Sequence, residues 1–420
     1  MKKLFSLMLG LMLALGAVAG AGAEGGKTLE VWYALSGASG EAFLSVVDDF
    51  NAQNTGISIN ASYSGGYTDT ATKITAALLS NTTPDVLIGG QVTYTGAYGN
   101  FYAGEKVLSD AEFNYDDVFT GLWDYAMYNG VVCNIPYGIS TPVMYYNKAV
   151  VEAAGVDMTA SAPASWEDFT ALCETIQAHF ADNAAFAAFV VKDMPWLFKT
   201  QLRQVGNNVI AANEDFSVKT AAFGSPECAR VAQWWQDMVK AGVTTVGDSD
   251  NAENVFLAGN AAFFAGSSTK IADWSETMGD NLQAIPMPCF DEPFVALGGN
   301  TISIFPTEGD EAQSEAAWTF VKFVTGTEEN AKFALASGYL PIRASALELD
   351  SMKEAFESKP AYKIAFDQLA YAYSYYNIDD YAALDNAIKG AIAKVTGDTA
   401  YDCAQAMAEA AQTYDDEANN

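Results

Sequence analysis

The chain has 420 residues, half of them apolar, and its 52 acidic side chains against 21 basic ones give a formal charge of −31. A field of that sign repels phosphate backbones and anionic lipid heads, which argues against nucleic acid and anionic membrane as partners. One histidine and five scattered cysteines without CxxC spacing leave no basis for a histidine-rich metal site, a histidine-centred triad or a disulfide framework, so neither metal nor cofactor is expected.

Lys2 and Lys3 precede an apolar run from Leu4 to Val18, followed by small residues from Ala19 to Ala23. This pattern reads as a secretory signal peptide over residues 1–23, with Ala21-Gly22-Ala23 as an A-x-A-like cleavage site. No cysteine lies before Cys133, so no lipid-attachment site follows the apolar run, and the exported chain is placed in a periplasm. Nearly 400 residues remain, more than one hydrophobic core usually supports, and two lobes are expected.

The alternation of Leu29, Val31 and Tyr33 with Glu30 and Trp32 predicts a strand. Phe43, Val46, Val47 and Phe50 then recur at the spacing of an amphipathic helix. A second strand is read over Ile57 to Tyr63, a helix over about Asp69 to Leu79, and a third strand over Asp85 to Ile88, after Pro84. This β-α-β-α-β order, with crossovers long enough for helices, predicts an α/β lobe built on parallel strands.

In such lobes ligands sit beyond the carboxyl ends of the strands. Those ends carry Ser36-Gly37, Ser64-Gly65-Gly66-Tyr67 and Gly89-Gly90-Gln91. Glycine allows close backbone approach, and Ser, Tyr and Gln offer hydroxyl and amide groups to a polar, uncharged ligand.

From Pro136 the pattern restarts, with a strand at Pro142 to Tyr146. Ser165-Trp166-Glu167-Asp168 has the form of a capping box and opens a helix carrying Phe169, Leu172 and Ile176. Further helices are read at Pro226 to Lys240, Glu311 to Val324 and Glu328 to Ala336, with strands near Ala261 to Ala265 and Thr301 to Phe305. The region from Ala361 onward reads as helical.

Enzyme signatures are absent from this pattern. His179, on a helical segment, is read as a surface or core histidine, and Gly37-Ala38-Ser39-Gly40 lacks nucleophile-elbow spacing. Gly26-Lys27-Thr28 imitates the end of a phosphate loop, but position 21 is Ala where Gly is required. With 52 acidic residues, carboxylate pairs arise by chance and identify no glycosidase centre. Most of the eight tryptophans, Trp234 and Trp235 among them, are expected in the core.

An ordered set of short strings carries a resemblance: LEVWYALSG at Leu29, DDFNAQN at Asp48, SGGYTDT at Ser64, TPDVLIGG at Thr83, STPVMYYNK at Ser140, SWEDF at Ser165, FLAGNAAFFAGSS at Phe256, GGNTISIF at Gly298, AAWTFVKFV at Ala316 and SGYLPIR at Ser337. In this order, over about 27–347, they resemble the extracellular solute-binding proteins of ABC sugar importers, especially the glycerol-3-phosphate-binding branch. The resemblance implies a periplasmic-binding-protein fold of class α/β, with two mainly parallel sheets flanked by helices and joined by a hinge. Lobe one would hold 27–135 plus 283–325, and lobe two 136–282 plus 326–420.

The resemblance also implies a binding receptor and not an enzyme, acting as a monomer and handing its ligand to the transmembrane subunits of an ABC permease. Carried over by motif, the ligand contacts fall on Tyr67, Ser140, Trp166, Ser267, Gly299 and Tyr339. Two positions depart from that branch: Gln91 stands for a glutamate, and Tyr376 aligns where an arginine is expected. Losing a forked, permanently charged partner for phosphate shifts the expectation towards a neutral sugar or polyol. A glycerol phosphate or glycerophosphodiester is the alternative, held by helix N-termini and serines such as Ser140, Ser267 and Ser268, with Lys270 or Arg343 nearby. Trp166 is expected to pack on the ligand's apolar face.

Overall fold

In a computed structural model of the chain, the described residues are 26–90, 93–192, 194–213, 219–245, 249–374, 378 and 381–418. Residues 1–23, Gln91 and Tyr376 lie outside them. The elements that position the cleft are, in chain order, β1 (Lys27–Tyr33), α1 (Gly37–Ala52), β2 (Ile57–Tyr63), α2 (Tyr67–Ser80), β3 (Val86–Gly89), β4 (Ile135–Ser140), β5 (Pro142–Asn147), α3 (Trp166–His179), β6 (Ala187–Val191), α4 (Met194–Gln204), α5 (Pro226–Lys240), β7 (Ala261–Ser267), α6 (Lys270–Met278), β8 (Leu282–Ile285), β9 (Gly298–Ile304), α7 (Glu311–Val324), α8 (Thr327–Ser337), α9 (Pro360–Asp367), α10 (Tyr381–Gly397) and α11 (Cys403–Ala418).

Two sheets carry the two lobes. The first has strand order β2-β1-β3-β9-β4 and the second β8-β5-β7-β6. Strand β1 pairs in parallel with both β2 and β3, as the sequence pattern predicts. Leu29, Val31 and Tyr33 face the core, where Phe43, Val46, Val47 and Phe50 of α1 meet them. The sheets are mixed, however, and not mainly parallel. Strand β9 runs antiparallel to β3 and β4, and β5 runs antiparallel to β7 and β8. These antiparallel pairs involve β4, β5, β8 and β9, the strands on which the chain leaves one lobe and enters the other.

Those passages also move the expected boundaries. Strand β4 belongs to the first sheet and β5 to the second, so the chain crosses at Thr141. It returns between Ile285 of β8 and Gly298 of β9, through Val295–Ala296, which pairs with Ala372–Tyr373. Helix α8 stands at the junction: Phe333 joins the core of the first lobe and Ala331 a core of the second. Just beyond it, Leu340 donates its N–H to the Ile139 carbonyl at 2.7 Å. The second sheet buries a cluster on each face, the larger one closed by α3, α5, α10 and α11.

Local signals explain several elements. Ser165 caps α3, its Oγ accepting from the Asp168 N–H at 3.0 Å, the N-cap half of the capping box read from the sequence, while the Asp168 carboxylate accepts from the Ser165 hydroxyl at 2.8 Å and not from its backbone. Trp234 and Trp235 of α5 are buried, as expected. His179 is exposed at the last position of α3. All five cysteines are free thiols, four of them buried, and they fill apolar space. Among the described residues, no helix is long and apolar enough to cross a membrane.

Candidate ligand-binding cleft

The carboxyl ends of the first sheet meet the junction of the lobes around two tyrosines. Tyr67 opens α2, and its hydroxyl lies 3.0 Å from that of Tyr339, which follows α8. Gly65, at φ +100°, makes the turn that a side chain would strain, and Gly66 is the N-cap. The Tyr67 ring lies over Gly90, where a Cβ would come within 2.8 Å of it. Tyr125 donates to the carbonyls of Gly299 at 3.0 Å and Gly90 at 3.2 Å, linking the loop after β3 to β9.

Although 39% of Tyr67 is exposed, its phenol end lies deep, and burial pushes both the Tyr67 and Tyr339 hydroxyls above the usual phenol range. The groups that bear on them are each other, Tyr125 and Asn300, all uncharged at neutral pH. The pair is therefore neutral.

Gly299 occupies a position only glycine fits. Its φ is +120°, and a Cβ there would come 1.9 Å from the Gly138 carbonyl oxygen; the β9–β4 register slips just beyond, between Asn300 and Thr301. Beside it, Gly298 faces Ser140, the last residue of β4. A Cβ on Gly298 would come 3.0 Å from Ser140 Oγ and 2.9 Å from the indole of Trp196 in α4.

Ser267 ends β7 in the second lobe. Its carbonyl accepts from the Tyr145 hydroxyl at 2.8 Å, and its Oγ accepts from the N–H and hydroxyl of Thr269. This turn packs on Gly338, at φ +73°, where a Cβ would come 2.7 Å from the Thr269 carbonyl oxygen. Gly338 adjoins Tyr339, so the turn that bears Ser267 abuts the segment that bears Tyr339.

The structure thus gathers Tyr67, Ser140, Ser267, Gly299 and Tyr339 at the lobe junction. Trp166 is elsewhere, and its expected place on the ligand is corrected. Its ring is wholly buried among Phe169, Trp234 and Phe290, and its Nε1–H donates to Gln204 Oε1 at 2.8 Å. A tryptophan one residue after an N-cap turns inward here because α3 lays its first turn on the core. Gln91 and Tyr376 lie outside the described residues.

Three side chains at the junction escaped the sequence reading: Trp196, Tyr125 and Asn300. Asn300 follows the Gly298-Gly299 pair already singled out, which was the available signal. Trp196 sits in a segment, Met194–Gln204, buried on nearly every side, so no stripe marked it as a helix.

The two cations offered by the sequence to a phosphate are both engaged. Lys270 meets the Glu253 carboxylate at 2.9 Å, and Lys192 meets the same group at 2.6 Å. Arg343 is buried, stacks 4.7 Å from the centre of the Phe113 ring and meets Asp117 at 3.4 Å.

A family model described as bacterial extracellular solute-binding protein matches residues 45–364. The sn-glycerol-3-phosphate-binding periplasmic protein UgpB of Agrobacterium fabrum is 25% identical over 348 residues, 79% of this chain and 78% of its own. The protein of the same name from Pectobacterium atrosepticum is 27% identical over 377 residues, 84% and 82%. Among solved structures, the cyclic alpha-maltosyl-1,6-maltose binding protein from Arthrobacter globiformis matches with a TM-score of 0.80 at 23% identity, over 94% of this chain and 100% of that one. UgpB from Mycobacterium tuberculosis in complex with glycerophosphocholine matches with a TM-score of 0.81 at 22% identity, over the same shares. Both structural likenesses establish the two-lobed fold.

Proposed function

The chain belongs to the bacterial extracellular solute-binding proteins, and from that premise we propose that it is the periplasmic receptor of an ABC importer for a neutral, hydroxyl-rich sugar or polyol. Ligand binds at the lobe junction, the lobes close on it about the crossings at Thr141 and 285–298, and the closed form docks on the permease subunits as a monomer. Tyr67, Ser140, Ser267 and Tyr339 supply hydrogen bonds, and Gly299 lets the ligand approach the backbone. Gln91 and Tyr376 keep the roles implied by their motifs, and Trp196 takes the apolar-face role first given to Trp166. Binding and release without bond-making is the chemistry, so the chain is read as a receptor and not an enzyme.

The observation that carries the preference for a neutral ligand is the engagement of Lys270 by Glu253 and of Arg343 by Asp117. A second reading, glycerol 3-phosphate or a glycerophosphodiester, is favoured by the N-terminus of α2, which has no side-chain cap and leaves backbone N–H groups at the cleft. It is also the ligand class in the names of the curated relatives.

A thermal-shift panel of mono-, di- and trisaccharides, polyols, glycerol 3-phosphate and glycerophosphocholine, followed by calorimetry, separates the readings. Stabilisation by a neutral sugar or polyol supports the first. Stabilisation by the phosphates alone transfers the assignment to the second, and turnover of a glycoside would defeat both.

A further inference from the structure

Gln368 follows α9, which packs on β5 and β8 of the second sheet, and its side chain is fully buried. Its Oε1 accepts from the Met287 N–H at 2.9 Å. Its Nε2 donates to the Pro142 carbonyl at 2.7 Å and to Thr141 Oγ1 at 3.3 Å. A backbone N–H only donates and a carbonyl only accepts, so a single orientation of the amide satisfies these partners. Thr141 and Pro142 stand on the first crossing between the lobes and Met287 on the second. One side chain rooted in the second lobe therefore holds both.

The rest of each crossing is bound to the same lobe. On the first, the Thr141 hydroxyl donates to the Ala365 carbonyl of α9 at 3.0 Å, and the Thr141 carbonyl accepts from the Ser268 N–H at 3.0 Å. On the second, Gln204 of α4 donates to the carbonyls of Pro288 at 3.1 Å and Phe294 at 3.0 Å. The Ala296 N–H then donates to Thr200 Oγ1 of α4 at 3.1 Å, and the Leu297 N–H to the Tyr373 carbonyl at 2.8 Å. Pro142, Pro286 and Pro288 fix their own φ and restrict Thr141 and Met287, which precede two of them. On the first-lobe side the chain turns permissive: Gly298 and Gly299 open β9, the latter at φ +120°. Gly298 pairs with Ser140, so both crossings leave these restraints at one step of the β9–β4 ladder.

We propose that Gln368 is a positioning residue for lobe closure: it clamps Thr141–Pro142 and Met287 to the second lobe, so that bending falls at the Ser140–Gly298 step and both crossings turn about one line. This rests on the reading of the chain as a receptor whose lobes close on a ligand. Trp196 and Ser267 lie on the clamped side, Tyr67 and Gly299 on the other, and the clamp fixes the path along which they meet. The third passage, through α8, packs against both cores and is gripped from the same helix, the Tyr362 hydroxyl of α9 donating to the Tyr339 carbonyl at 2.6 Å. Without the clamp, bending spreads into Thr141 and the segment from Met287, and the free lobes sample more arrangements.

Gln368→Met keeps the length of the side chain and removes its hydrogen bonds. Spin labels carried by non-canonical residues in place of Leu79 in α2 and Glu174 in α3, exposed positions on the two lobes, report the distance between them in the full chain. Without ligand, the distance distribution should be broader in Gln368→Met than in the unsubstituted chain. Phe50→Leu, which opens space in the buried core of the first lobe, is the stability control and should leave the width unchanged. Equal widths in Gln368→Met and the unsubstituted chain overturn the proposal even where the urea midpoint has fallen, because a merely structural role lowers stability without loosening the lobes. Broadening no greater than in Phe50→Leu overturns it as well. If Gln368→Met fails to fold, Thr141→Val, which removes one partner of the amide, takes its place: a broader distribution supports the clamp and an unchanged one overturns it.

Calorimetry with maltose and with glycerophosphocholine adds the binding arm. Whichever probe the unsubstituted chain binds should be held about threefold more weakly by Gln368→Met, because looser lobes spend less time poised to close. Unchanged affinity despite broadened lobes overturns the link to capture and with it the proposal. If neither probe binds the unsubstituted chain, the ligand classes proposed above fail while the distance measurement still decides the role of Gln368.

Discussion

The indole of Trp196 lies so close to Gly298 that a Cβ on the glycine would come within 2.9 Å of ring atom Cζ2. Gly298 is not in the left-handed region, so its backbone would accept a side chain and the conflict would fall on the ring. Gly298→Val should therefore displace Trp196 and weaken ligand binding on the order of tenfold, at an overpacking cost of about 1–3 kcal/mol in stability. Trp196→Ala should weaken binding as much while the lobes stay folded. Unchanged affinity in Trp196→Ala, measured by calorimetry, would remove this ring from the cleft.

Trp166→Ala should act on stability and not directly on the ligand. The ring is buried to 0% exposure, and its loss leaves a cavity and strands the Gln204 carbonyl oxygen. A drop of about 3–5 kcal/mol in unfolding free energy is expected, read from denaturant midpoints. A folded variant of normal midpoint that has lost ligand would return Trp166 to the site.

The contrast between the two tryptophans shows what the sequence could convey. Strands and helices with one buried face, such as β1, α1, α5 and α7, leave a period that can be read, and the ends of α5 and α7 fall on the expected residues. Segments buried on all sides leave none: Ala187–Val191 and Met194–Gln204 are apolar or packed throughout, and neither was recognised. Motif spacing could single out Tyr67, Ser267, Gly299 and Tyr339, which the structure brings to the lobe junction together with Ser140, because each is a glycine or adjoins one. It misplaced the aromatic ring because a capping box fixes where a helix starts and not which way its first side chain points. The lobe crossings were similarly hidden, since β4 and β5 are separated by one residue and differ only in the sheet they join.

Lys199 is 1% exposed in α4, where its Nζ donates to the Tyr381 hydroxyl at 2.8 Å and to Asp385 at 3.0 Å. Burial opposes the charge on Lys199, but Tyr381 and Asp385 outweigh it and raise the ammonium above its usual range. The contact ties α4, which bears Trp196, to the start of α10. Lys199→Met should cost about 3 kcal/mol, the low end for breaking a buried pair, because Lys389 remains 2.8 Å from Asp385. Adding Asp385→Leu should recover most of that loss. A double variant no more stable than Lys199→Met, by urea midpoint, would show that the pair itself is not the source.

Asp110 gives the clearest acid-side prediction. The Trp318 Nε1–H donates to its carboxylate at 2.7 Å and Lys322 sits 3.0 Å away, and together they lower its pKa from 3.8 to about 2. The unfolded chain therefore holds this proton more tightly than the folded one. Stability from Asp110 is complete above pH 4 and is lost as pH falls towards 2. Water reaches the side chain, which is 22% exposed, so the effect is modest. Asp117, Glu253 and Asp385 are depressed as well and add to the decline of the whole protein. Only the difference between the chain and Asp110→Asn isolates this group. The asparagine still accepts from Trp318 but cannot titrate, so the variant should be less stable at pH 7 and the gap should close between pH 4 and 2. Urea midpoints at pH 7, 4, 3 and 2 would show it, and a gap that stays constant across that range would mean the carboxylate charge contributes nothing.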